Sequence, residues 1–318
     1  MPASTDTPLK GLVIRNTGSD IRVLTDTGCL LDCKIKGNLR IRGIKSTNPV
    51  AIGDRVTVIG GEGNRFISEV EDRRNYIVRR PANLSKQIHI IAANIDVALL
   101  VVTVNHPRTN LVFLDRYLAT AEAYNVPAWL VFNKTDLYDE EDTEYLEGLI
   151  KLYGSIGYRC FKISALKGEG VSELMEALKG KTCLLSGNSG VGKSSLLNAF
   201  DPDIKAKVGQ ISDAHDTGMH TTSFSEMFTL AGGDIRLIDT PGIKGFNTID
   251  MKPEEVGHYF PEIFRISRSC RYGNCTHRHE PGCAVLEAVE NHLISESRFN
   301  SYLSILEDWT EGKYRSAE

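Results

Sequence analysis

TCLLSGNSGVGKSSLLNAF, residues 182–200, decides the fold. An apolar run, a glycine-rich octet and an amphipathic run succeed one another in the order strand, loop, helix. The octet GNSGVGKS at 187–194 fits G-x-x-x-x-G-K-[S/T]. Glycines there let backbone N–H groups wrap phosphate oxygens without Cβ clashes, and the start of the helix adds partial positive charge. The pattern predicts nucleotide contacts from Gly187, Asn188, Ser189, Gly190, Val191, Gly192, Lys193, Ser194 and Ser195. Lys193 is expected to reach the β- and γ-phosphates, and Ser194 to ligate Mg²⁺.

On the C-terminal side, DTPG at 239–242 ends the apolar strand IRLID. Asp239 is expected to hold Mg²⁺ through water, and the Gly242 N–H to meet the γ-phosphate. Between the two motifs, HTT at 220–222 follows a stretch rich in Gly and Asp. A threonine there, Thr222 ahead of Thr221, is placed to close on Mg²⁺ only when a γ-phosphate is present, as a switch does. On the N-terminal side, NKTD at 133–136 follows the strand PAWLVF, and SAL at 164–166 follows FKI. Ligands of α/β sheets bind at such strand ends. Asp136 can accept from guanine N1–H and its 2-amino group, for which adenine has no matching donors. Asn133 is expected near O6 and N7, the Lys134 stem over the ring beside Thr135, and the Ala165 N–H, next to Ser164, at O6. Together these loops favour GTP over ATP. Their order is inverted, however: the base-reading motif precedes the phosphate loop.

Further out, strands alternate with helices from about residue 88, which predicts a mostly parallel sheet covered on both faces. Residues 11–73 instead hold short alternating runs, GLVIRN, DIRVLT, CLLDCKIKG, DRVTVIG and RFISEVE. These predict a small all-β barrel, an OB-fold ahead of an SH3-like barrel or small sandwich. After Gly242 the strands stop, and PEEVGHYFPEIF, CAVLEAVENHLI and SRFNSYLSILEDWTE read as helices around CRYGNCTHRHEPGC at 270–283. Cys270, Cys275 and Cys283 with one histidine, His277 or His279, suit a closed tetrahedral Zn²⁺ site of structural type. Cys29, Cys33, Cys160 and Cys183 read as barrel or core residues.

The net charge of −4 does not itself suggest nucleic acid, but CKIKGNLRIRGIK at 33–45 carries five basic residues and no acid. Lys34, Lys36, Arg40, Arg42 and Lys45 are the candidate RNA contacts on the barrel. RRNYIVRR at 73–80 and FRISRSCRYG beside the cysteines add two further basic patches. The longest apolar run, DVALLVVTV at 96–104, is too short to span a bilayer, and the first residues lack a signal-like core. A cytoplasmic, monomeric protein without membrane association is expected.

The order NKTD, SAL, phosphate loop, HTT, DTPG, followed by the cysteine pattern, resembles the circularly permuted GTPases of small-ribosomal-subunit assembly, the RsgA or YjeQ family. The resemblance spans essentially the whole chain. It implies an OB-fold RNA-binding domain at 1–75, a permuted α/β GTPase domain at 76–246 and a mainly α zinc-binding domain at 247–318. It favours His277 as the fourth zinc ligand. The position after the DTPG glycine is Ile243, which cannot orient water, and the resemblance points to His220 as the catalytic residue. It also implies GTP hydrolysis stimulated by the small ribosomal subunit, timing release of the protein and of assembly factors from that subunit's rRNA. The alternatives are an RNA-binding assembly protein whose nucleotide site only regulates, and a tRNA-directed GTPase.

Overall fold

The computed structural model of the chain describes residues 7–18, 20–35, 49–61, 63–79, 89–202, 226–230, 234–239 and 252–310. Contacts group the chain into two compact units. One comprises Met1–Val97, Met175–Leu185 and Phe200–Ile243; the other comprises Ala98–Leu174, Ser186–Ala199 and Lys244–Glu318. No helix among the described residues is long and apolar enough to cross a membrane.

The first unit is built on β1 (Leu9–Asn16), β2 (Ile21–Thr25), β3 (Leu30–Ile35), β4 (Arg55–Ile59) and β5 (Phe66–Val70). They pair in the order β1-β2-β3-β5-β4, and β4 returns to β1, so the sheet closes. Only β3 and β5 run parallel. Every second side chain turns inward: Val13, Ile21, Val23, Leu31, Cys33, Val56, Val58 and Ile67 share one core. Closure leaves these short strands no free edge, and the OB-like barrel expected from their alternation is present.

Next come β6 (Tyr76–Arg79) and β7 (His89–Ala93), an antiparallel pair that the charged sequence RRNYIVRR hides. Arg73 is no surface residue. Its side chain is 5% exposed and grips Asp54, itself 0% exposed, through Nε–Oδ1 at 2.7 Å and Nη2–Oδ2 at 2.6 Å. Arg73 therefore drops out of the basic patch expected at 73–80. Arg74 does stay exposed, paired with Asp96 at 2.7 Å. Later in the chain β11 (Thr182–Ser186) pairs in parallel with β13 (Ile235–Asp239), which forms an antiparallel ladder with β12 (Glu226–Leu230).

The second unit holds β8 (Val97–Val102), β9 (Ala128–Phe132) and β10 (Arg159–Lys162), paired in parallel with β9 central. Every residue of β8 is buried, which is why its sequence shows no alternation. Helix α1 (Leu111–Ala123) starts where the Asn110 side chain accepts from Val112 N–H. Helix α2 (Glu140–Ile156) starts at Asp139, whose carboxylate accepts from Asp142 N–H, and stops at Gly157 with φ 120°. Helices α3 (Val171–Leu178) and α4 (Lys193–Phe200) flank β11 in sequence.

PEEVGHYFPEIF, expected as one helix, is broken. It forms α5 (Pro253–Val256), a 3₁₀ turn at Gly257–Tyr259 and α6 (Pro261–Ser267). Pro261 lacks the N–H that would continue the first helix and instead opens the second. Helices α7 (Ala284–Glu290) and α8 (Glu296–Thr310) complete the unit.

Candidate functional site

The phosphate loop leaves the end of β11 and enters α4, as its sequence requires. Gly187 has φ 146°, and a Cβ there would lie 2.4 Å from the Val101 carbonyl oxygen. Gly192 has φ 95°, and its Cβ would lie 2.3 Å from Asn133 Nδ2. Both positions exclude any side chain, the second because another loop arrives there. The Lys193 ammonium folds over the loop and donates to the carbonyls of Gly187 and Asn188, each at 2.7 Å. Ser194 and Ser195 stand exposed at the start of α4, and Val191 is buried beneath the loop.

The arriving loop is NKTD. Asn133 is 1% exposed and commits both ends of its amide: Nδ2 donates to Val191 O at 2.8 Å, and Oδ1 accepts from Ala165 N–H at 2.9 Å. Asn133 thus clamps the phosphate loop and the SAL loop to its own turn rather than turning its amide out towards a base. The Ala165 N–H is likewise engaged, with Asn133. Lys134 adopts a left-handed conformation, φ 67°, and its Nζ donates to His106 O. Ser164 donates its hydroxyl to Asp136 Oδ1 at 2.5 Å and receives Lys167 N–H at 3.1 Å, so the carboxylate is held in place. Thr135 N–H donates to Ile163 O at 3.2 Å, joining the same two loops.

One participant escaped the sequence reading. The Tyr138 hydroxyl donates to Asn133 O at 2.6 Å and accepts from Val104 N–H at 2.9 Å. Burial pushes its pKa up to about 12, so it remains a donor. Only its place directly after NKTDL hints at this bridging role. The loop Val104–Thr109 escaped as well, although His106 and Val104 tie it to the NKTD turn.

His220, Thr221, Thr222 and Gly242 lie outside the described residues, as do Lys36, Arg40, Arg42 and Lys45. Of Asp239 only the backbone is described, at the end of β13. Lys34 is exposed on β3.

The cysteine cluster is compact. The donor atoms of Cys270, Cys275, His277 and Cys283 all lie within 4.8 Å of one another. His277 Nδ1 is 3.4 Å from Cys283 Sγ and 3.7 Å from Cys270 Sγ, and the two sulfurs are 3.9 Å apart. Tetrahedral bonds of about 2.3 Å to sulfur and about 2.0–2.1 Å to nitrogen need edges of roughly this length, so the residues fit a four-coordinate ion. His279 is exposed and outside the set. Burial pushes the Cys275 thiol up to about 12, raises Cys283 and lowers His277. A cation at the centre favours the thiolates and so opposes that burial penalty. Glu280 holds the turn: burial opposes its charge, but hydrogen bonds from Thr276, Arg278 and His279 hold its carboxyl well below the usual range.

The helices around the cluster are fixed to α1 by charge. Arg298, 0% exposed, donates to Glu262 at 2.7 and 3.1 Å and to Asp115 Oδ1 at 2.9 Å, where the Tyr153 hydroxyl also donates at 2.8 Å.

Comparison with known proteins follows the same lines. The RsgA GTPase family model matches residues 70–249. "Small ribosomal subunit biogenesis GTPase RsgA 2" of Bacteroides thetaiotaomicron is 63% identical over 97% of this chain and 100% of its own length. The protein named small ribosomal subunit biogenesis GTPase RsgA in Christiangramia forsetii is 47% identical over 96% and 98%. Among solved structures, YjeQ from Thermotoga maritima superposes with a TM-score of 0.76 at 34% identity, covering 95% of this chain and 98% of that one. YloQ, described as a circularly permuted GTPase, superposes at 0.75 with 26% identity, covering 99% and 100%. Inverted motif order, closed barrel, cysteine cluster and whole-length similarity agree: the chain belongs to the RsgA GTPase family, enzymes that hydrolyse GTP.

Proposed function

We propose that this protein binds the small ribosomal subunit late in its maturation and hydrolyses GTP to GDP and phosphate, timing its own release and that of assembly factors. One observation carries the reading. NKTD and GNSGVGKS, inverted along the chain, are locked together by Asn133 within one compact unit. The names of the relatives supply the ribosomal part.

Asp136 accepts from guanine N1–H and the 2-amino group, and the Lys134 stem covers the ring. Asn133, Ser164 and Ala165 frame that pocket. The phosphate loop wraps the β-phosphate, and Lys193 leaves its two carbonyl partners to reach the β- and γ-phosphates. Ser194 and Thr222 would hold Mg²⁺, with Asp239 acting through water. Held there, the ion would supply positive charge against the phosphates. The Gly242 N–H meets the γ-phosphate, and His220 orients the attacking water. Cys270, Cys275, His277 and Cys283 would hold one structural Zn²⁺, since three thiolates and an imidazole leave no open position for chemistry.

Residues 1–75 act as the RNA-binding barrel through Lys34, Lys36, Arg40, Arg42 and Lys45. Residues 76–246 act as the permuted GTPase, and 247–318 as the zinc module. The protein works as a cytoplasmic monomer. Turnover of GTP and ATP, measured with purified small or large subunits added separately, tests the reading. GTP hydrolysis accelerated by small subunits alone is expected; equal rates with either subunit, or with none, would overturn it. Asp136→Asn should move base preference towards xanthine, whose 2-oxo group needs a donor.

A further inference from the structure

A cavity of about 260 Å³ opens onto the metal cluster: Cys275 and His277 form part of its wall, together with Glu254, Glu255, His258, Tyr272 and Asn274. It is smaller than the ~300–1,000 Å³ pockets that hold drug-sized molecules, so it suits a single ring system. Two arginine–aromatic stacks stand at its borders. Arg271 lies 5.5 Å above the Tyr272 ring, and Arg268 lies 5.1 Å above Phe264, whose ring meets His258 edge-on at 5.0 Å. Tyr272 is 42% exposed and Phe264 37%. Arg265, Arg268, Arg271 and Arg278 are all exposed, and none is in an ion pair among the described residues. Unneutralised guanidinium groups interleaved with open aromatic faces are what single-stranded nucleic acid uses: phosphates meet the charges and bases stack on the rings.

We propose that this cavity takes one unpaired RNA nucleobase, stacked on Tyr272, with the flanking phosphates on Arg268 and Arg271. The site rests on the RNA-binding reading above and extends it to a defined pocket on the metal-bearing module. The two carboxylates on the wall add selectivity. Glu254 and Glu255 accept hydrogen bonds and donate none, so they match bases with exocyclic amines. Adenine, cytosine and guanine each present an NH2 whose two hydrogens can meet both carboxylates, whereas uracil presents a single N3–H.

The test uses the full-length, zinc-loaded protein and short adenylate-rich, uridylate-rich and duplex RNAs, read by fluorescence anisotropy. Tyr272→Ala should weaken adenylate binding about tenfold and leave duplex binding and zinc content unchanged. Arg268→Ala with Arg271→Ala should flatten the salt dependence by about one to two ions. Glu254→Gln with Glu255→Gln should erase the preference for adenylate over uridylate, and this pair decides the matter should Tyr272→Ala lose metal. Equal adenylate binding by wild type and a metal-bearing Tyr272→Ala, or a base preference untouched by the glutamine pair, overturns the pocket. Co-sedimentation of the wild type with small subunits is the separate control: its failure removes the ribosomal reading, whereas its success with an unaffected Tyr272→Ala removes only the pocket.

Discussion

The barrel and the C-terminal helices are both small, yet they are held by opposite means. In the barrel, stability is spread over a repeating pattern: alternate residues of five short strands meet in one core, and closure satisfies the backbone. Three of the four described C-terminal helices are too short to carry a periodic face: α5 spans four residues and α6 and α7 seven each, against fifteen in α8. They have an apolar cluster of their own around Val256, Phe260, Ile263 and Tyr302. Two point devices join them: four convergent donors placed to hold a metal ion, and the buried Arg298 pair of ion contacts. Distributed burial degrades gradually when a residue is changed. A point device fails as a unit, because each partner it strands is a buried charge or an unfilled ligand position.

The sharpest way to break this contrast is to deny the cluster the metal ion it is placed to hold. Cys283→Ser, or a strong chelator, should abolish metal binding and with it the protection of amides in 252–310 from hydrogen exchange, leaving the barrel amides protected. Structural zinc sites contribute about 10–16 kcal/mol of apparent binding energy, so the loss should be complete locally. Equal loosening of both regions would refute the division. Arg298→Met comes next. It leaves Glu262 and Asp115 buried without their cation and should cost about 3–5 kcal/mol, seen as a lower thermal midpoint for the second unit. A midpoint unchanged by Arg298→Met would mean the carboxylates find another partner or a proton.

In the barrel, Ile67 is 0% exposed. Ile67→Val should cost only about 0.5–1.5 kcal/mol in denaturant titration, because one methylene leaves a pattern that others sustain. A local collapse there would show that the barrel, too, hangs on single contacts. Smallest of all is the exposed Lys10–Glu71 pair at 2.8 Å. Lys10→Ala should change barrel stability by less than about 1 kcal/mol, an effect that vanishes in high salt.

The nucleotide site shows the same division in what could be read beforehand. Phosphate-loop chemistry is local: the glycines, the lysine and the helix start lie within nine consecutive residues, 187–195, and their spacing predicts their use. Base-loop chemistry is only half local. NKTD and SAL could be recognised as strand-end turns, but the roles of Asn133 and Ala165 depend on which atoms come within reach. Asn133 meets Val191 and Ala165 and becomes a clamp. Arg73 was misread for the same reason, since a guanidinium looks solvated until an Asp54 arrives 2.6 Å away. The cysteine ligands, by contrast, were legible because they sit within fourteen residues, 270–283. Between His277 and His279 the resemblance favoured the first, and in the fold His277 is buried with the thiols while His279 is exposed and outside the set.

From sequence alone came the period of most elements, the glycine positions, the ligand spacing and the inverted order of motifs. All of these depend on residues near one another along the chain, where geometry is nearly set by the backbone. Tertiary structure alone decided where Asn133, Arg73, Tyr138 and Arg298 find their partners. A long polar or charged side chain stays in water unless a counter-group offsets the cost of burying it, and that group is supplied by a segment far away in sequence.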